Sequence, residues 1–282
     1  HDAPADLGGG HRRSSVVDRN VPASAGSVPA RRAIVLGASN VTLGLSTVVA
    51  TAQQAWGTPL EILAAIGHGR SYGLTSSVLG RSLPGILHCG LWDELHQRPP
   101  LPTAALVTDI GNDILYGSDV TVILRWVETC LERLHNVCDR LVITRLPLAS
   151  LHRTPDWRLR LLVSLFFPGS RSNYRDALAK AHEVDQALLS FAGRYRAYIV
   201  QPDWTWFGWD PIHIARAHRP VAWQKYLACW TDGRVFSPAR RSLRRWLTTT
   251  GARPSRWTFL GIARECQQPT VRLSDGSTLS LY

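Results

Sequence analysis

With 282 residues, 45% of them hydrophobic, and a mean hydropathy of −0.07, the chain has the make-up of a globular protein with a full core, which excludes a low-complexity or fibrous class. The longest apolar run, residues 161–167, falls far short of the roughly 18 residues that a membrane-spanning helix needs. The net charge of +11 is carried almost wholly by arginine, with lysine only at Lys180 and Lys225; this usage reads first as genomic base bias, with binding to nucleic acid or an anionic membrane as the alternative.

The five cysteines (Cys89, Cys130, Cys138, Cys229 and Cys266) are odd in number and form no C-x-x-C pair. They predict reduced thiols and a cytoplasmic location, not a disulfide framework or a zinc site. A chain that begins at His1 and contains no methionine reads as a fragment or processed form, from which a targeting segment could have been lost.

In chain order, residues 1–31 are rich in Gly, Ala, Ser, Pro and charge without any period, and are expected to form a disordered leader. Residues 33–36 form a short apolar strand that runs into Gly37-Ala38-Ser39-Asn40. Val41, Leu45, Val48, Ala52 and Ala55 then recur at helical spacing, so Ser39 lies on a strand-to-helix turn. Residues 60–66 are a second strand, ending in Gly67-His68-Gly69-Arg70-Ser71-Tyr72-Gly73. A helical region broken at Pro84-Gly85 is expected up to about His96.

Residues 104–110 make a third strand, closed by Gly111-Asn112-Asp113, and Val120, Ile123, Leu124, Val127, Leu131, Leu134 and Val137 mark the helix after it. A fourth strand over 141–144 precedes two helices near 155–167 and 172–193. A fifth, over 198–200, leads into a Trp-rich segment, then Asp210-Pro211-Ile212-His213 and a closing helix near 218–231.

Strands alternating with helices predict an α/β fold: a three-layer α/β/α sandwich around a central, mostly parallel five-stranded sheet, spanning residues 32–233. Residues 234–282 carry seven arginines between Arg234 and Arg256 and alternate at their end around Asp275-Gly276. They are expected to be a basic appendage ending in a β-hairpin.

Sites in such sheets lie beyond the carboxyl ends of the strands. A serine, an asparagine beside a glycine, and an Asp and His three apart are the parts of an acyl-transfer centre. The serine attacks a carbonyl, the imidazole carries its proton to the leaving group, and the carboxylate orients the imidazole. Backbone N–H groups and a carboxamide hold the oxyanion.

In this order and at these strand ends, the motifs resemble those of the SGNH hydrolase superfamily, the GDSL-type esterases and lipases, over about residues 33–230. The resemblance implies that Ser39 is the nucleophile, His213 the base and Asp210 its orienting group. The N–H groups of Ser39 and Gly69 and the Asn112 amide would form the oxyanion hole. No metal and no organic cofactor is implied. The partner expected is a small-molecule ester: a small acyl or aryl ester, an acylated sugar or a thioester. Two departures stand out: Gly-Ala-Ser39 replaces the family's Gly-Asp-Ser, and Arg70-Ser71 follows Gly69 where Asp-Thr or similar is usual.

Three other readings compete. Gly69-Arg70-Ser71-Tyr72-Gly73 is a literal G-x-S-x-G elbow, but only one strand–helix unit precedes it, and Ser39 and Asn112 would lack roles. A dinucleotide fingerprint after residue 35 fails because Asn40 and Leu43 stand where glycines belong, and Glu61 is the only acid at a suitable distance. The arginines beyond Gly233 accompany no recognised nucleic-acid module and read as a solvated face, so nucleic acid is not an expected partner. Asp113 is expected to fix its loop, and His68 and His218 to be loop or surface histidines. Trp204, Trp206, Phe207, Trp209 and the helix near 159–167 read as core, with pocket lining or a lid as the functional alternative.

Overall fold

The computed structural model describes residues 28–166 and 174–282. The expected leader falls outside them up to residue 27, as do residues 167–173 between the two helices predicted there.

The elements run β1 (Arg31–Leu36), α1 (Ser39–Trp56), β2 (Leu60–Ala65), β3 (Ser76–Val78), β4 (Arg81–Leu83), α2 (Leu91–Gln97), β5 (Thr103–Val107) and α3 (Asn112–Leu115). They continue with α4 (Val120–His135), β6 (Arg140–Thr144), α5 (Leu148–His152), α6 (Asp156–Phe166), α7 (Tyr174–Arg194), β7 (Tyr198–Val200) and α8 (Arg219–Leu227). The chain ends with α9 (Leu243–Thr250), β8 (Arg256–Phe259), β9 (Ile262–Glu265), β10 (Val271–Arg272) and β11 (Thr278–Leu281).

The main sheet has the order β10-β11-β2-β1-β5-β6-β7 and is parallel throughout except for the β10–β11 hairpin. Side chains alternate across it as a pleated strand requires. Ile34 and Leu36 of β1 face the layer of α2, α4 and α7, while Ala33 and Val35 face α1 and α8. Both faces are therefore apolar and covered, which makes the predicted three-layer α/β/α sandwich.

Two expectations need correction. The sheet has seven strands, not five, because residues 234–282 are no appendage. β11 adds to the edge of β2 in parallel, pairing Leu279 with Ile62 and Leu281 with Ala64, and its side chains are buried in the core. Alternation in 271–282 signalled the hairpin, but pairing with a strand more than 200 residues earlier leaves no local trace. The stretch after β2 also differs: the hairpin β3–β4 precedes α2, and β8 and β9 join it in a second, antiparallel sheet of order β3-β4-β8-β9.

The order of the five predicted strands, β2-β1-β5-β6-β7, places a topological switch point between β1 and β5, whose following connections run to opposite faces. Ser39 follows β1 and Asn112 follows β5, so the candidate residues meet at that crevice. Glu61 instead lies near the start of β2 and is bound by Arg32 (2.5 Å) and Arg98 (2.5 Å), away from the crevice and engaged in the core. The five cysteines are free thiols. Among the described residues no helix is long and apolar enough to cross a membrane.

Candidate active site

The turn from β1 into α1 is tight. A Cβ at Gly37 would come within 2.6 Å of Val41 Cγ2 and 2.9 Å of Thr108 Cγ2, so the strand ends close up only around a glycine. Ser39 opens α1, and its N–H therefore has no acceptor within the helix. Ala38, the N-cap residue, cannot cap with its side chain. Asp109 does so from beyond β5: its Oδ2 accepts the N–H groups of Ala38 (2.9 Å) and Asn40 (3.1 Å). A carboxylate at a helix N-terminus is favourable through both its hydrogen bonds and the helix dipole.

Asn40 links this turn to the last loop. Its Nδ2 donates to Asp109 Oδ1 (2.9 Å) and to the Ile212 carbonyl (3.1 Å), and its Oδ1 accepts from the Ile214 N–H (2.8 Å). Both chain neighbours of His213 are thus held by the residue next to Ser39. The result is a short Ser–His contact: Ser39 Oγ lies 2.7 Å from His213 Nε2. On the far side of the ring, His213 Nδ1 is 2.5 Å from Asp210 Oδ2. Asp210 Oδ1 also accepts the N–H groups of Ile212 (2.9 Å) and His213 (3.2 Å). Burial alone would raise the pKa of Asp210. The hydrogen bond and charge of His213, with the two backbone N–H groups, outweigh it and hold the carboxyl below its ordinary value.

The other wall is built on the loop after β2. Gly69 has φ of +59°, a left-handed conformation that favours glycine, and its carbonyl accepts from Tyr116 Oη (2.6 Å). Asn112, at the start of α3, donates one Nδ2 hydrogen to the Arg70 carbonyl (3.1 Å), which leaves its second amide hydrogen for another acceptor. Ser39 and Asn112 line one cavity, and the Arg70 bond ties Asn112 to the Gly69 loop.

Arg70 is fully buried. Its guanidinium donates to the carbonyls of Ile66 (3.1 Å), Pro84 (from Nε 3.1 Å, from Nη2 3.0 Å) and Tyr282. The strand end, the 84–85 bend and the C-terminal strand are thereby joined through one cation.

Ser71, the elbow candidate, is fully buried and engaged elsewhere. Its hydroxyl donates to Asp113 Oδ1 and accepts from the N–H groups of Gly73 (3.1 Å) and Leu74 (2.7 Å). It caps the loop, and among the described residues its hydroxyl has no hydrogen bond to a histidine. Asp113 fixes the same loop by also accepting the Tyr72 N–H (2.9 Å). Burial pushes the Asp113 carboxyl up to about 6 against the pull of these bonds. On the loop after β2, partial desolvation together with the positive charges of His213 and Arg81 lowers the pKa of His68.

The cavity beside Ser39 measures about 540 Å³. Polar groups come from Ser39, Asn40, Asn112, the ends of β5 and β6, Arg160, Ser164 and Tyr174. The rest of its walls are mainly apolar, with Ile114 and Leu115 of α3, Leu146 and Leu151, Leu159 and Val163 of α6, Leu178 of α7, and Phe207. The Trp-rich segment divides its roles. Phe207 lines the cavity, Trp206 is buried against Tyr226, and Trp204 and Trp209 are exposed beneath Arg153 and Arg158. Among the described residues no three His, Cys, Asp or Glu side chains are grouped to hold a metal ion.

Asp109, Asn40, Tyr116 and the Arg70–Tyr282 link were not predicted from the sequence. A carboxylate at the end of an apolar strand was the available signal for Asp109; the others depend on contacts across the fold.

No family model and no curated protein matches the chain. Solved structures do. A member of the lipolytic protein G-D-S-L family from Veillonella parvula is 12% identical at a TM-score of 0.46, covering 73% of this chain and 100% of its own. A carbohydrate acetylesterase family member from Sinorhizobium meliloti is 14% identical at 0.46, covering 70% and 95%. An aryl esterase of M. smegmatis is 12% identical at 0.45, covering 71% and 97%.

Proposed function

We propose that this chain is a serine esterase of the SGNH hydrolase type, acting on esters with an apolar acyl group. The observation that carries this reading is the unbroken chain Ser39 Oγ–His213 Nε2–Asp210, at 2.7 and 2.5 Å, on a helix N-terminus at the sheet's switch point. The Asp109 carboxylate beside Ala38 and Asn40 supports it further. It supplies a negative group next to the nucleophile, where the family's Gly-Asp-Ser has one and Gly-Ala-Ser39 does not.

In this reading Ser39 Oγ bonds to the ester carbon while its proton passes to His213 Nε2. The carbonyl oxygen gains the negative charge and meets the Ser39 N–H, the Gly69 N–H and the free Asn112 amide hydrogen. Each such donor contributes about 3–4 kcal/mol to the transition state. The bond to the leaving oxygen then breaks, and the His213 proton goes to it. Water deacylates Ser39 by the same route in reverse, with Asp210 stabilising the imidazolium at both steps.

The leaving group must lie at His213 to receive its proton. In this reading the cavity, lined by Ser39 and Asn112, takes the acyl side. Its mainly apolar walls suit an alkyl or aryl acyl group. Each buried methylene contributes about 0.8 kcal/mol, so kcat/KM should rise about fourfold per added carbon until the cavity fills.

The test is fluorophosphonate labelling with peptide mapping, followed by p-nitrophenyl esters of increasing acyl length. Stoichiometric modification of Ser39 and a preference for longer acyl chains are expected. Absence of labelling would refute the esterase reading, and a preference for acetate would refute the assignment of the cavity.

A further inference from the structure

Helix α9 is amphipathic in the wrong sense for a helix resting on a protein core. Its inward side is polar: Thr249 is buried, and Arg245 reaches α1, where its Nε donates to the Ser46 carbonyl (2.8 Å). Its apolar side chains, Leu243, Trp246 and Leu247, stand at i, i+3 and i+4 and therefore form one stripe. They are 72%, 51% and 59% exposed. A surface helix ordinarily turns such a stripe inward. Leaving it open, with Val235 also exposed nearby in sequence, marks a surface that meets something else.

The stripe is set among cations. Arg240, Arg241 and Arg244 are exposed, and among the described residues none is paired with a carboxylate. Arg241 reaches across to the Arg216 carbonyl (2.8 Å), three residues beyond His213. Burial and the positive charges of Arg216 and Arg241 lower the pKa of Arg219, as expected where cations crowd together. The surface thus adjoins the loop that carries His213 and the helix that begins at Ser39.

We propose that the outward face of α9 docks this protein onto an anionic lipid surface, with Leu243, Trp246 and Leu247 entering the head-group layer and Arg240, Arg241 and Arg244 meeting lipid phosphates. Leucine and tryptophan on one side with arginine beside them is the composition of helices that lie in a bilayer interface. Two copies of the chain meeting through this face would bring unpaired arginines together, which opposes self-association. A nucleic acid would satisfy the arginines but leave the apolar stripe without a partner.

The test is flotation of the full chain with phosphatidylcholine vesicles, with and without phosphatidylglycerol. It requires no hydrolysis, so its outcome is independent of the esterase reading. Binding is expected to need the anionic lipid and to weaken with salt. Replacing Leu243, Trp246 and Leu247 together by serine should lower partitioning about tenfold or more. Arg241→Ser and Arg244→Ser should each lower it about fivefold, from about 1 kcal/mol per arginine at the surface. The side chains are exposed, so unfolding midpoints should match wild type. Absence of flotation, or a triple variant that floats as wild type does, would overturn the proposal. So would a dimer of the wild-type chain that the triple variant converts to monomer, or a salt-sensitive DNA complex without vesicle binding.

Discussion

Arg70 offers the sharpest test of how the Gly69 loop is held. Replacing it by alanine removes hydrogen bonds to the carbonyls of Ile66, Pro84 and Tyr282 in a fully buried site. Bonds to a charged donor are worth about 1.5–3 kcal/mol each, but losing the cation also relieves its own desolvation. What remains is the stranding of three carbonyl oxygens, at about 1–3 kcal/mol each. A net loss of about 3–5 kcal/mol is expected, the size seen when one partner of a buried charged contact is removed. For a chain of this size that lowers Tm by about 10 °C.

The effect on rate is distinct, because the Arg70 carbonyl also anchors Asn112. If Gly69 and Asn112 form the proposed oxyanion hole, loosening this loop should weaken it, and kcat should fall about 10²- to 10³-fold, the cost of one oxyanion donor. KM should change little. Arg70→Lys keeps the charge but cannot fork to three carbonyls, so it should recover part of the stability and little of the rate. Urea unfolding and p-nitrophenyl ester kinetics on both variants measure the two effects separately. Wild-type kcat in Arg70→Ala, measured below its melting temperature, would refute the brace.

Further outcomes follow from the site. Ser39→Ala should abolish ester hydrolysis and fluorophosphonate labelling, whereas Ser71→Ala should lose about 1–3 kcal/mol in urea unfolding but keep most activity. Asp210→Asn should lower kcat by about 10⁴-fold in steady-state assays, by leaving the imidazole in the wrong tautomer. Asp113, raised from 3.8 to about 6, binds its proton more tightly in the folded state. Its contribution to stability is therefore full below about pH 4 and is lost as pH rises to about 6, a change of about 3 kcal/mol. Urea midpoints from pH 4 to 7 should show this slope in the wild type and not in Asp113→Asn.

Hydrophobic patterning alone located β1, β2, β5, β6 and β7, because each is a short apolar run, and it located α1, α4 and α7 by helical period. It also marked the polar strand ends, where Ser39, Asn112, Asp210 and His213 are readable as residue types suited to one chemistry. Gly69 was assigned through the resemblance to the SGNH hydrolases, in which a glycine follows the second strand.

What the tertiary structure alone decided is how these residues are held and what else they require. Asp109 caps α1 across the switch point, Asn40 grips both neighbours of His213, and Arg70 reaches Tyr282. None of these contacts has a local period, because each joins segments tens to hundreds of residues apart. The same reason hid the place of residues 234–282. Their hairpin is a local signal, but a parallel edge beside β2 is a property of the sheet. The outward stripe of α9 is of the same kind: spacing shows that the helix is amphipathic, and only packing shows which side it turns to water.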